Sequence, residues 1–76
     1  MSKGEERRDS YWVYLKQRTD TGLRLTIKSE RFGSSGKALM TYEQWILDNE
    51  GKQGMIVELQ FFENGGRCVT LQEKHM

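Results

Sequence analysis

A chain of 76 residues with 36% hydrophobic side chains, 11% aromatics and a formal net charge of +1 fits one small domain with a single core and excludes wholesale disorder. No apolar run approaches the length of a membrane span, and the polar opening Met1–Ser10 is neither a signal peptide nor an anchor, so a cytoplasmic protein (or a nuclear one in a eukaryote) is expected. The single cysteine, Cys68, cannot form an internal disulfide and points to a reducing compartment. With the single histidine, His75, it makes two soft ligands where a tetrahedral zinc site needs three or four, so no metal and no cofactor are expected.

In chain order, residues 1–10 read as a charged tail without periodicity, and residues 11–73 as the domain. From Tyr11 the pattern alternates. Tyr11, Val13 and Leu15 share one face, and Trp12, Tyr14, Lys16 and Arg18 the other. A second alternating run sets Leu23, Leu25 and Ile27 against Arg24, Thr26 and Lys28. Asp20-Thr21-Gly22 between them fits a three-residue hairpin loop with glycine in the left-handed position. That loop puts Arg18 opposite Arg24, Leu15 opposite Ile27 and Tyr14 opposite Lys28. Gly33-Ser34-Ser35-Gly36 reads as a loop, and Lys37-Ala38-Leu39-Met40 as a short third strand. A helix is expected from Thr41, where Thr41 and Gln44 form a capping box and Met40 and Trp45 a hydrophobic staple. Tyr42, Trp45, Ile46 and Asn49 lie along its inner side, and Gly51 stops it.

A second hairpin follows, 44 positions after the first. Val13 to Lys28 aligns without a gap on Val57 to Gln72, with Val13/Val57, Leu15/Leu59, Gly22/Gly66 and Thr26/Thr70 identical. Asn64-Gly65-Gly66 is then the loop, with Leu59 facing Leu71 and Phe61 facing Val69. A two-residue Asn64-Gly65 turn would set Leu59 against Thr70 and break the apolar face, so the longer loop is preferred. The sheet face offered to the helix is Val13, Leu15, Leu25, Ile27, Val57, Leu59, Phe61, Val69 and Leu71. The fold class expected is α+β: an antiparallel sheet of about four strands in the order hairpin–helix–hairpin, with one short helix packed on one face.

The two copies differ in charge. Residues 1–37 carry nine basic and five acidic side chains, a balance of +4, and residues 38–76 three basic and six acidic, a balance of −3. Such asymmetry suggests an anionic partner for the first half, or self-association. The outward side of the first hairpin gathers Trp12, Tyr14, Lys16, Arg18, Arg24 and Lys28. Aromatic rings beside cations on an open sheet form a stacking surface for unpaired bases with phosphates neutralised alongside. Lys37, after the glycine-serine loop, is a further candidate phosphate contact, although that loop lacks the Walker spacing. The rival reading notes Ile56, Phe62 and Cys68 on the same outward side. With Trp12 they make a face too apolar to leave in water, and hence a dimer or partner interface. No nucleophile–base or paired-carboxylate constellation stands out. Cys68 with His75 is the nearest to one, and His75 is expected in a frayed tail.

The order of two strands, a loop and Gly36-Lys-Ala-Leu-Met-Thr-Tyr-Glu-Gln-Trp45 resembles the single-stranded-DNA-binding coactivator family called positive cofactor four, particularly at Glu43-Gln44-Trp45. Tyr14-Leu-Lys16 with Gly22-Leu-Arg-Leu-Thr-Ile27 is also similar to the hairpin of Pur (purine-rich-element-binding) repeats. The resemblance covers residues 11–47. It implies single-strand binding on a curved sheet by intertwined dimers or paired repeats, with Lys16, Arg18, Arg24, Lys28, Trp12 and Tyr14 at sheet positions suited to the strand. The family helix is longer and ends its unit, whereas here a second hairpin follows, and the family's basic cluster is reduced.

The expectation from sequence is therefore a non-enzymatic, homodimeric binding module. Its first candidate partner is single-stranded DNA or RNA. The alternative is a protein, with the chain acting as a regulator or inhibitor of the kind encoded by phages and plasmids.

Overall fold

A computed structural model of the chain describes residues 9–63 and 66–76. Its elements are β1 (Ser10–Arg18), β2 (Arg24–Phe32), α1 (Ser35–Asp48), β3 (Met55–Phe62) and β4 (Cys68–His75). The strands form one antiparallel sheet in the order β2-β1-β3-β4, and α1 packs on one face of it. This is the α+β arrangement of hairpin, helix and hairpin. Of the tail assigned to residues 1–10, residues 1–8 lie outside the described residues, and Ser10 already belongs to β1 and is buried.

The centre of the sheet is the pairing of β1 with β3. Val13 faces Leu59 and Leu15 faces Val57, with Tyr14 opposite Glu58 between them. Tyr14 and Glu58 are also equivalent positions of the two sequence copies. The hairpins are therefore related by an approximate two-fold axis through that pair. Ala38, Tyr42 and Trp45 of α1 pack on the resulting quartet of Val13, Leu15, Val57 and Leu59, joined by Met55 and flanked by Tyr11, Phe32, Ile46 and Met76. Val13 and Val57 are fully enclosed, and burial of each such side chain contributes roughly 1.5–3 kcal/mol.

The first loop has the expected three-residue form, and the described residues flanking the second make the same pair of bonds. In the first, the amide of Thr19 donates to the Leu23 carbonyl at 2.8 Å and that of Gly22 to Thr19 at 3.0 Å. In the second, Glu63 donates to Arg67 at 2.7 Å and Gly66 to Glu63 at 3.0 Å. Gly22 and Gly66 hold φ of +89° and +97°, the left-handed region where a Cβ is penalised. Asn64 and Gly65 of the expected second loop lie outside the described residues.

A few residues past each loop the register departs from the expected one. A β-bulge falls between Leu15 and Lys16 in the first hairpin and between Leu59 and Gln60 in the second, at equivalent positions. Ile27 and Leu71 are the extra residues. Arg18–Arg24 and Phe61–Val69 pair as expected, but Leu15 faces Lys28, Tyr14 faces Ser29 and Leu59 faces Gln72. Beyond a bulge the alternation reverses. Lys28 and Phe32 therefore turn to the helix side, as do Gln72, Lys74 and Met76.

The helix also begins earlier than the capping box at Thr41 suggests. Ser34 is its N-cap, with extended φ and ψ, and its hydroxyl accepts from the Lys37 amide at 3.2 Å. Lys37–Met40 are the first turns of α1 rather than a strand, because a serine cap followed by strong helix formers outweighs a short alternating run. At the far end, Asn49 is buried and donates its side-chain amide to the Trp45 carbonyl at 2.8 Å.

One helix does not cover the face. Leu25, Ile27, Val69 and Leu71, expected beneath it, remain 43–56% exposed, and Leu23 is 64% exposed. The outer strands lie beyond its reach, since a helix with side chains is about 10 Å across and four strands span more than that.

Replacement of Gly22 by Ala should lower stability by about 1 kcal/mol through the left-handed backbone alone, because a Cβ there meets nothing within 4 Å. Gly33→Ala, in open space without a positive φ, should be close to neutral. Urea denaturation of both variants measures the difference.

Candidate functional site on the open sheet face

The face away from α1 carries Trp12, Tyr14, Lys16 and Arg18 from β1. Beside them stand Ile56, Glu58, Gln60 and Phe62 from β3, Arg24 and Arg31 from β2, and Cys68, Glu73 and His75 from β4. It divides into an aromatic end and a charged end. Lys28 is not part of it: the bulge places its ammonium 4.4 Å from the Trp45 ring centroid, on the helix side. Lys37 is not part of it either, since it lies in the first turn of α1.

At the aromatic end Trp12 and Tyr14 stack with centroids 5.9 Å apart and planes at 17°, and Phe62 meets Trp12 edge-on at 6.1 Å. All three are half-buried. Cys68 beside them is exposed, and its thiol donates to Gln60 Oε1 at 2.9 Å.

At the charged end a carboxylate lies at the centre of the sheet. Glu58 is only 3% exposed. Its Oε1 accepts from Lys16 Nζ at 2.9 Å and from Gln60 Nε2 at 2.7 Å, and its Oε2 from Arg24 Nη1 at 2.6 Å. Arg24 also reaches Glu73 Oε1 at 3.0 Å. Burial pushes the Glu58 carboxyl up, but the hydrogen bonds from Lys16, Arg24 and Gln60 outweigh it and hold the group below the ordinary carboxylate value. The hydrogen bonds that Arg24 donates to Glu58 and then to Glu73 raise it in turn. The Tyr14 phenol is raised by burial first, and then by its electrostatic interaction with neighbouring Cys68 and Glu58.

His75 lies in β4 rather than in a frayed tail. Arg18 donates to its Nδ1, which leaves the ring proton on Nε2, 3.5 Å from Glu73 Oε1. Lys16, Arg18 and Arg24, the cations of the expected basic face, are thus all held by groups of the second hairpin. The juxtaposition of Arg18 with Arg24 is relieved by those groups. Ile56, expected as an interface residue, is fully buried under this network. Of the interface candidates, Trp12, Phe62 and Cys68 keep access to solvent.

From sequence, Glu58 and Glu73 have no reason to be desolvated and His75 is expected in a frayed tail; the structure instead buries Glu58 and brings all three into this network. The usable signal was a charge inside an otherwise apolar strand, Met55–Phe62, facing the strand that carries Lys16. Basic residues on the outward side of one hairpin and acidic ones on the same side of the other are what an internal ion network leaves in a sequence.

Glu58→Gln should lower stability at pH 7 by about 2 kcal/mol, the range for a hydrogen-bonded charged group. A carboxylate held below its unfolded value stabilises above that value and loses this contribution as pH falls through the folded one. Wild type should therefore lose stability below about pH 4.5, more steeply than Glu58→Gln, in denaturant titrations between pH 7 and 3. Ile56→Ala should cost about 3 kcal/mol, as for a core residue; a change within 0.5 kcal/mol, typical of a surface position, would return Ile56 to the interface.

Comparison with protein-family models, curated proteins and solved structures finds no match to this chain.

Proposed function

We propose that this chain is a small non-enzymatic protein-binding module, a regulator or inhibitor in type, that engages its partner through the aromatic end of the open sheet face. The observation that carries this reading is Glu58. A buried carboxylate bound to Lys16 and Arg24 leaves little charge for phosphates in the place where a nucleic-acid surface needs it, since affinity for nucleic acids comes largely from phosphate neutralisation. What stays accessible is a rigid aromatic cluster of Trp12, Tyr14 and Phe62 with polar neighbours. Aromatic residues of this kind dominate protein interfaces because they offer large contact area at small entropic cost.

A second reading, single-stranded DNA or RNA, is supported by the Trp12–Tyr14 stack with Lys16 5.0 Å from the Tyr14 ring centroid, by Arg31 opposite Trp12, and by the resemblance of residues 11–47. An oligonucleotide titration at low salt, followed by tryptophan fluorescence, separates the two. We expect a flat response. Quenching that weakens linearly with salt on a log–log scale would establish the second reading instead. Selection from a displayed random-peptide library should enrich aromatic and aliphatic peptides whose binding is lost in Trp12→Ala and kept in Arg31→Ala. Recovery of acidic peptides that need Arg31 would overturn the aromatic mode.

A further inference from the structure

The helix α1 is apolar on two opposite sides. Ala38, Tyr42, Trp45 and Asn49 form the buried stripe. Met40 and Leu47, 71% and 61% exposed, lie about half a turn away from it at 100° per residue. Glu43 falls on the same outer side and Glu50 follows in the turn just past the helix end, so the outer stripe, continued into that turn, reads Met40, Glu43, Leu47, Glu50. A helix apolar on two sides is built to be covered on both.

A complementary strip lies on the same chain. On the helix side of β4, Val69 and Leu71 are 43% and 48% exposed, with Arg67 before them and Lys74 after them. Arg67 is 77% exposed and reaches only Glu63, at 3.8 Å; among the described residues Lys74 has no ion pair. Next to this strip, between β4 and the start of α1, is an open apolar pocket of about 240 Å³ lined by Tyr11, Leu39, Leu59 and Leu71 with Ser35, Gly36 and Gln72. The helix leans the other way, towards β2, where Lys28 caps Trp45 and Phe32 joins the core.

The stripe and the strip match in polarity and oppose in charge, yet they cannot meet within one molecule, because the stripe points away from its own sheet. We propose that they meet between two copies of this chain. In each direction the Met40–Glu50 stripe of one copy lies along the Arg67–Lys74 strip of the other, so that the two α1 helices form a common layer between two sheets. Such a two-fold contact uses the same pair of surfaces twice and closes on itself. Leu39, Met40, Leu47, Val69 and Leu71 together expose on the order of 450 Å² of apolar surface, and at an apolar share of about 60% the interface is ~750 Å² per subunit, close to the ~800 Å² per partner of a stable complex. This places the dimer contact on the helix side, not at Trp12, Phe62 and Cys68, and leaves the open face free. It does not rest on the protein-binding reading of that face.

Sedimentation equilibrium of the full chain tests the proposal. A mass of twice 8.9 kDa is expected, reverting to 8.9 kDa in Met40→Lys with an unchanged circular dichroism spectrum. Two charge-reversed variants make the test specific. Glu43→Lys/Glu50→Lys carries a basic stripe against a basic strip, and Arg67→Glu/Lys74→Glu an acidic stripe against an acidic strip. Each alone should dimerise at least about tenfold more weakly, as expected for like charges across an interface. Their equimolar mixture should dimerise as wild type does, since every stripe then meets an opposite strip. A wild-type chain that stays monomeric up to about 0.5 mM, an affinity too weak to matter for a specific interface, would overturn the proposal. So would a dimer that ignores Met40→Lys, or a mixture that fails to recover.

Discussion

The pairing of β1 with β3 is the constraint on which the rest of this molecule depends. It sets Val13 against Leu59 and Leu15 against Val57 on one side, which is the platform for α1. On the other side the same register carries Lys16 next to Glu58, and Glu58 within reach of Arg24. Core and ion network are two faces of one registration. A slip of one residue would turn Glu58 into the core and the valines to solvent, at a cost far beyond the marginal stability of a domain this size.

The pairing of the two hairpins gives their difference in charge a structural use. Lys16 and Arg24 of the first hairpin meet Glu58 and Glu73 of the second. Two basic hairpins would place like charges there, whereas a basic and an acidic one neutralise each other. Glu58 is buried because Lys16, Arg24 and Gln60 satisfy it, and Ile56 is buried because that network lies over it. The open face thus forms a small second core from polar groups, without any element stacked on it. A single helix on the opposite face leaves the outer strands half bare. Each of those edge strands carries a bulge, a device that twists an edge away from unplanned strand pairing.

Much of the fold was legible. The alternation from Tyr11, the glycines at the end of each loop and the buried helix positions Tyr42, Trp45 and Asn49 are local signals, and local steric rules act on them directly. The helix start was misplaced because two capping signals compete, Ser34 and Thr41, and the helix formers after Ser34, with Ala38 packed against the sheet, favour the earlier one. The candidate site was half legible. Trp12, Tyr14, Lys16, Arg18 and Arg24 do share a face, but Lys28 leaves it through a bulge that no residue type announces.

By itself the sequence determined the two hairpins, the first three-residue loop and which residues of each strand point together near the loops, because these follow from backbone sterics and short-range periodicity. The tertiary structure alone decided the strand order, the bulges, and with them the partners of the charges. Pairing β1 with β3 is a contact between residues 38 to 52 positions apart, and no local preference encodes it. That pairing turned a cationic hairpin from a surface awaiting an anion into one already holding its own.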